Sequence, residues 1–225
     1  YANSTGLPMP EEYSCAKDVA TLLREVIKHD IYHKYSTIWM DELVHPSGRK
    51  TELVNTNKLI RYYEGCDCGK TGFTDEAGYC LSASAKKGNM RFIAVSLGAK
   101  DAKSRFSNVT KLLNFAFANF QNKQILMSNT PLCKIDVNKS KVKQIELFAK
   151  EDYFALNKKG VNDEFETTFN LPKSIDAPVK KGDEIGTVTI SKNGNVVAEI
   201  ALCANEDVEK LNYKDALSEI ISNWN

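Results

Sequence analysis

The sequence predicts an α/β domain, an antiparallel sheet with helices, followed by a small all-β domain. Three observations carry this reading. Apolar residues recur at helical spacing on either side of a hairpin pattern; the hairpin runs are strand-like and separated by a short polar turn; and from about Lys123 the chain changes to repeated short strands. At 225 residues it has room for one large domain or two modest ones, and 42% hydrophobic residues suffice for sizeable cores. The expected divisions are residues 1–122 for the α/β part, 123–208 for the all-β part and 209–225 for an amphipathic tail.

Thirty basic residues against twenty-nine acidic ones leave a net charge of +1, and no dense Lys/Arg run carries interleaved aromatics, so nucleic acid is not an expected partner. No apolar run approaches the length of a membrane span. The start, Tyr1 to Gly6, has neither the basic opening nor the apolar centre of a signal peptide, and there is no initiating Met. The chain therefore reads as a processed product or a fragment, with any export signal upstream.

Taken in order, Tyr1 to Pro10 is a loop broken by Gly6 and two prolines. Ser14 is the expected N-cap of a first helix, whose Val19, Leu22, Leu23, Val26 and Ile27 form a core-facing stripe ending at His29-Asp30. Ser36 to Val44 and Arg49 to Val54 read as two strands joined through Pro46-Ser47-Gly48. Asn55 to Leu59 then leads toward Gly65, and Lys70-Thr71-Gly72 stands at the start of a strand-like run. A hairpin follows, Tyr79 to Ala85 and Met90 to Leu97 around Lys86-Lys87-Gly88-Asn89. Asp101 to Phe120 is the second helix, with Phe106, Val109, Leu112, Leu113, Ala116 and Phe117 along one face.

Beyond Lys123 the expected strands are Ile125 to Met127, Leu132 to Val137, Val142 to Phe148, Tyr153 to Leu156, Phe165 to Leu171, Gly186 to Ile190 and Val196 to Leu202. Asn193-Gly194 marks a tight hairpin between the last two. The run Val179 to Gly186 resembles turns of lipoyl-type carrier domains, so Lys192 is either a carrier lysine or a solvated turn residue. In the tail, Leu217, Ile220, Ile221 and Trp224 share a helical face that suits a membrane interface, docking on the protein, or a frayed end.

The six cysteines, Cys15, Cys66, Cys68, Cys80, Cys133 and Cys203, are too scattered for a disulfide scaffold. Cys133 and Cys203 are either bridged or two buried thiols. Cys66-Asp67-Cys68, with His29, His33 and His45 upstream, is a conceivable metal site, but no second ligand pair has zinc spacing.

Lys70-Thr71-Gly72 carries the chemistry. The ammonium is a point charge for a carboxylate, Thr71 adds a hydroxyl donor, and Gly72 admits close approach of a substrate backbone. Lys-Thr-Gly also belongs to the motif set of serine β-lactamases and penicillin-binding proteins. Around it stand Tyr1 to Pro8, Tyr13 to Ala20, Val54-Asn55-Thr56-Asn57-Lys58-Leu59, Lys70 to Tyr79 and Ile93 to Ala99. In that order they resemble landmarks of the D-alanyl-D-alanine carboxypeptidases, the low-molecular-mass penicillin-binding proteins, and most of all the sporulation-associated Gram-positive type. The later hairpin, Gly186 to Leu202, is similar to that family's C-terminal domain, so the likeness covers essentially the whole chain.

The resemblance implies the second half of a β-lactamase-like catalytic domain. It makes Lys70 and Thr71 partners of the terminal D-Ala carboxylate, with Gly72 beside them, the Phe73 N–H half of an oxyanion hole, and Arg105 a second cation on that carboxylate. It implies no metal or organic cofactor, an exported location at the extracytoplasmic membrane face or wall, peptidoglycan peptides ending in D-Ala-D-Ala as substrates, and β-lactams as ligands. One departure stands inside the motif: Gly69 takes the place of an apolar residue usual before the lysine, and Cys66 and Cys68 flank it. The family's Ser-x-x-Lys nucleophile and Ser-x-Asn motif precede the Asn3-Ser4-Thr5-Gly6-Leu7 landmark and are expected upstream. Within the chain, Ser14-x-x-Lys17 reads as a cap on a structural helix, and Ser191-Lys192-Asn193 lies in a distant hairpin. A non-catalytic wall-binding or scaffolding remnant is the alternative reading.

Overall fold

The computed structural model describes Asn3 and residues 9–213. The described residues up to Gln121 form one compact unit, and those from Asn122 onward form another. The first begins with α1 (Ala16–Val26), α2 (Asp30–Ser36), the hairpin strands β1 (Met40–Val44) and β2 (Lys50–Val54), and the short α3 (Leu59–Tyr62). It continues through β3 (Cys66–Thr74), β4 (Gly78–Lys87), β5 (Met90–Ala99) and α4 (Ala102–Asn119).

Strands β3, β4 and β5 make an antiparallel sheet in that order. Registers Leu81↔Ser96, Ala83↔Ala94 and Ala85↔Phe92 put the small and apolar residues of β4 and β5 on one face. Helix α4 lays Val109 and Leu113, both 0% exposed, on that face, with Phe92, Phe106 and Phe117 packed around them. The helix begins where its cap allows: the Asp101 carboxylate accepts from the Ser104 N–H at 2.6 Å.

The first helices depart from the sequence reading. Cys15, not Ser14, is the N-cap of α1, and no side-chain hydrogen bond caps it. Only Leu23 of the expected stripe is buried; Leu22 and Val26 stay well exposed, because α1 meets β5 and α4 through small residues, Ala16 and Ala20. The first expected strand is also shorter. Ser36 ends α2, whose Thr37 hydroxyl donates back to the His33 carbonyl at 2.9 Å, and β1 starts only at Met40. Helix α2 buries no residue, so it leaves no apolar period in the sequence.

The second unit contains β6 (Phe120–Leu126), β7 (Pro131–Asn138), β8 (Gln144–Ala149), β9 (Tyr153–Lys158), β10 (Phe165–Asn170), β11 (Ser174–Asp176), β12 (Glu184–Lys192) and β13 (Asn195–Ala204). The main sheet runs β10-β12-β13-β8-β7-β11, and β6 pairs with β9. Leu147, Val188, Ile190 and Leu202 are fully buried in its core. Asn193 and Gly194, at φ +49° and +78°, form the tight turn that joins Lys192 to Asn195. Strand β11 pairs parallel to β7 over three residues, too short a run to read from sequence.

All six cysteines are free thiols. Cys133 pairs with Leu147 and Cys203 with Phe148, so alternation along β8 sends them to opposite faces of the sheet, and no bridge can join them. Among the described residues no helix is long and apolar enough to cross a membrane. Tail residues Leu217, Ile220, Ile221 and Trp224 lie outside the described residues, as does most of the stretch from Tyr1 to Pro8.

The packing sets a stability contrast within α4. Leu113→Ala should lower the unfolding free energy by about 2–5 kcal/mol, as cavity-forming core truncations do. Leu112→Ala, half exposed one residue away, should cost less than about 1 kcal/mol. Urea denaturation of the two variants measures the difference.

Candidate functional site

Lys70-Thr71-Gly72 occupies the middle of β3 rather than a strand start. A bulge between Cys66 and Cys68 lets pairing with β4 begin four residues earlier, and the register then runs Lys70↔Ser82, Thr71↔Leu81, Gly72↔Cys80 and Phe73↔Tyr79. Strand β3 is at the sheet edge, and α2 braces its outer side. Ser36 Oγ donates to the Asp67 carbonyl at 2.8 Å, and Tyr32 Oη donates to the Gly69 carbonyl at 3.4 Å. With those carbonyls turned outward, the two-residue strand period turns the backbone groups of Thr71 and Phe73 to the same side.

Gly69 is dictated by close approach. At φ +147°, an added Cβ would lie 2.3 Å from the Ser82 carbonyl oxygen and 2.9 Å from Ala83 Cα. The apolar residue that the resemblance leads one to expect before the lysine has no room here.

Thr71 is nearly buried, and its hydroxyl donates to Thr56 Oγ1 at 2.9 Å. Thr56 is held in turn by its neighbours. Asn55 Nδ2 donates to the carbonyls of Ser36 and Ile38 at 3.0 Å each, and Asn57 Oδ1 accepts from the Leu59 N–H at 3.2 Å. Lys70 Nζ donates to the Thr71 carbonyl at 2.7 Å. From the first turn of α4, Arg105 Nη1 donates to the Gly72 carbonyl at 3.0 Å and to that of Cys80 at 3.4 Å. Its guanidinium lies 5.5 Å from the Tyr79 ring centre and 5.1 Å from that of Phe106, while its Nε is buried with no hydrogen-bond partner among the described residues. Phe73 is half exposed and stacks on Tyr79 at 4.4 Å. The fold thus brings Arg105 onto the triplet from 33 residues away.

The bulge also separates the paired thiols. Cys66 lies opposite Ala85 and packs in the core under α4, whereas Cys68 lies opposite Ser84 and points to the other face, so a two-thiol knuckle does not form. Burial pushes the Cys66 thiol up to about 11. Burial, then the neighbouring Asp67 charge, push Cys68 up to about 12. Arg91 forks onto Asp67, Nη1 to Oδ1 at 2.8 Å and Nη2 to Oδ2 at 2.6 Å, and also donates to Ser84 Oγ at 2.7 Å. Of the three histidines only His33 comes near, its Nδ1 3.6 Å from Asp67 Oδ2; His45 bonds Thr51 in the β1–β2 hairpin, and His29 precedes α2.

Two other candidates fall elsewhere. Lys17, the lysine of Ser14-x-x-Lys17, lines a hollow against Phe92 to Val95 of β5, the far edge of the sheet from β3. Lys192 is no protruding carrier lysine: its Nζ pairs with Asp163 Oδ2 at 2.7 Å and lies 5.7 Å from the Phe165 ring centre. Sequence reasoning missed the bracing roles of Tyr32, Ser36 and Thr56 and the Asp67–Arg91 fork, none of which has a periodic signature. The Asn55-Thr56-Asn57 run was the one visible signal, as a polar break beside the triplet.

Residues 1–101 match the family described as D-alanyl-D-alanine carboxypeptidase, and residues 120–210 match the penicillin-binding protein 5 C-terminal domain. The chain is 40% identical to D-alanyl-D-alanine carboxypeptidase DacF of Bacillus subtilis over 225 residues, 100% of this chain and 58% of that protein. It is 31% identical to the carboxypeptidase DacC of Escherichia coli over 207 residues, 91% of this chain and 51% of the relative. Among solved structures, penicillin binding protein 5 from Haemophilus influenzae aligns with a TM-score of 0.64 at 30% identity, over 91% of this chain and 59% of that one. The chain therefore spans little more than half the length of the relatives it matches.

The raised thiols have a pH consequence. An unfolded thiol loses its proton near 9.0, but the folded chain keeps those of Cys66 and Cys68 up to about 11 and about 12, so the native state binds more protons in that window. Stability present below the lower value is lost as pH rises through the upper ones. The urea midpoint should fall above the unfolded thiol value, and a Cys66→Ala/Cys68→Ala double variant should show a shallower fall. An identical slope in both proteins would refute the burial account.

Proposed function

Because the chain belongs to the D-alanyl-D-alanine carboxypeptidase family, we propose that its first unit supplies the substrate-carboxylate wall of a serine-type D-Ala-D-Ala carboxypeptidase. The observation that carries this reading is Arg105 seated on the Gly72 carbonyl, beside Lys70 and Thr71 on an open strand edge. An ammonium, a hydroxyl and a guanidinium converging on one place suit a free C-terminal carboxylate. That preference separates an exopeptidase from an endopeptidase.

In the proposed mechanism a serine hydroxyl attacks the D-Ala-D-Ala peptide carbonyl, D-alanine leaves, and water hydrolyses the acyl-serine. The outward Phe73 N–H would donate to the developing oxyanion, and the Tyr79 ring beneath Phe73 keeps that stretch of β3 in place. A β-lactam would acylate the same serine. The serine itself is proposed to come from a segment N-terminal to Tyr1, since Ser14 stands on the helix that packs on β5 and not beside β3. Gly69 and the α2 braces hold the edge strand extended for a peptide. The proposed substrates are peptidoglycan stem peptides, at the extracytoplasmic face of the membrane or in the wall, and the all-β unit is proposed to position the catalytic unit there.

The test uses the longer gene product that contains this chain. Arg105→Ala and Lys70→Ala should each lower kcat/KM for a D-Ala-D-Ala peptide by on the order of 100-fold. Arg105→Ala should also abolish the preference for that peptide over its C-terminal amide. A variant that still discriminates against the amide would remove Arg105 from carboxylate recognition. Failure of fluorescent penicillin to label the longer protein would favour the non-catalytic wall-binding reading.

A further inference from the structure

We propose that His33, Asp67 and Cys68 form a binding site for a borderline-soft divalent cation of the Zn²⁺ type. The three come from two elements, α2 and the bulge of β3, and their ligand atoms lie within 4.8 Å of one another. Zinc bonds of about 2.0–2.3 Å place tetrahedral ligand atoms roughly 3.3–3.7 Å apart. The His33 Nδ1 to Asp67 Oδ2 separation of 3.6 Å already falls there. Imidazole, carboxylate and thiol together form a donor set suited to zinc and its neighbours rather than to magnesium or calcium.

The tautomer of His33 is a second, independent observation. Its Nε2 lies 2.9 Å from the Ile27 carbonyl, which can only accept, so Nε2 carries the proton. In the neutral ring, Nδ1 then turns a lone pair toward the Asp67 carboxylate, two acceptors that face each other across a gap only a cation can fill. A backbone carbonyl on the remote nitrogen is also the usual support of a metal-bound histidine. Arg91 gives Asp67 the corresponding second layer, holding both carboxylate oxygens and leaving their remaining lone pairs.

Access and charge agree with this assignment. Cys68 is 0% exposed at the floor, while His33 and Asp67 are each 24% exposed at the mouth, leaving one side open for a water as fourth ligand. Binding forms a metal–sulfur bond and breaks the S–H bond of Cys68, whose proton leaves to solvent. The resulting thiolate and the Asp67 carboxylate neutralise the cation. The bound ion would tie α2 to β3 two residues ahead of Lys70, without taking part in acyl transfer.

The experiment titrates Zn²⁺, and Co²⁺ as its coloured substitute, into the chain carrying Cys15→Ser, which removes the exposed thiol. One equivalent should bind, and Co²⁺ should give a thiolate-to-metal charge-transfer band with tetrahedral d–d absorption. Cys68→Ser should abolish the charge-transfer band, and His33→Gln and Asp67→Asn should each weaken binding by about tenfold or more. His29→Ala, His45→Ala and Cys133→Ala should bind as the parent does. Far-UV circular dichroism confirms that each variant is folded; should Cys68→Ser unfold, the other two ligand variants and the parent spectrum decide. Binding without a sulfur band, equal affinity across the ligand variants, or no stoichiometric binding would overturn the site, the last leaving His33 and Asp67 as a simple imidazolium–carboxylate pair. Because every readout is cation binding, these outcomes are separate from those for the carboxypeptidase reading.

Discussion

The antiparallel ladder between β3 and β4 is the constraint on which the candidate site depends. It fixes where Lys70 and Thr71 stand, because each residue of β3 is assigned a partner and a face by register. It also allows Arg105 to reach the site, since α4 can set its first turn on Gly72 and Cys80 only where those carbonyls lie side by side. The ladder in turn needs Gly69, since any side chain there would displace the Ser82 carbonyl. Helix α4 secures the arrangement from beneath by closing Val109 and Leu113 over the alanines of β4 and β5.

Much of this was legible in the sequence, for identifiable reasons. The β4–β5 hairpin, α4 and the strands of the second unit bury regular stripes, and a buried stripe is what periodicity reveals. Asn193-Gly194 was readable because left-handed backbone restricts the residues that can occupy it. By contrast α2 and α3 bury little and are short, so their helical character rests on local hydrogen bonds. The stripe on α1 was legible but misleading: Leu22 and Val26 keep helical spacing while remaining exposed, since alternating polarity records where a residue can pack and not whether a surface meets it.

The site was legible only in part. Lys70, Thr71, Gly72, Phe73 and Arg105 could be named from motif order, and the geometry brings Arg105 to the triplet. The supporting contacts were not readable, because Tyr32, Ser36 and Thr56 act through single hydroxyls and a lone hydroxyl has no pattern. The cysteine pair shows the opposite failure. Cys66 and Cys68 looked like one feature because they are close in sequence, yet one belongs to an apolar core and the other to a charged cluster on the reverse face. Proximity along a strand says little when an irregularity intervenes.

That irregularity bears on heredity. Asp67 is one residue more than a regular ladder would hold, and it sets the parity of everything after it in β3. Deleting it would exchange the two faces of the strand, turning Lys70 toward α4 and Thr71 away from Thr56. Descendants of this gene can therefore change residues here far more freely than they can gain or lose them. Length variation should collect at the turns after Thr74 and Lys87, where an extra residue alters no alternation.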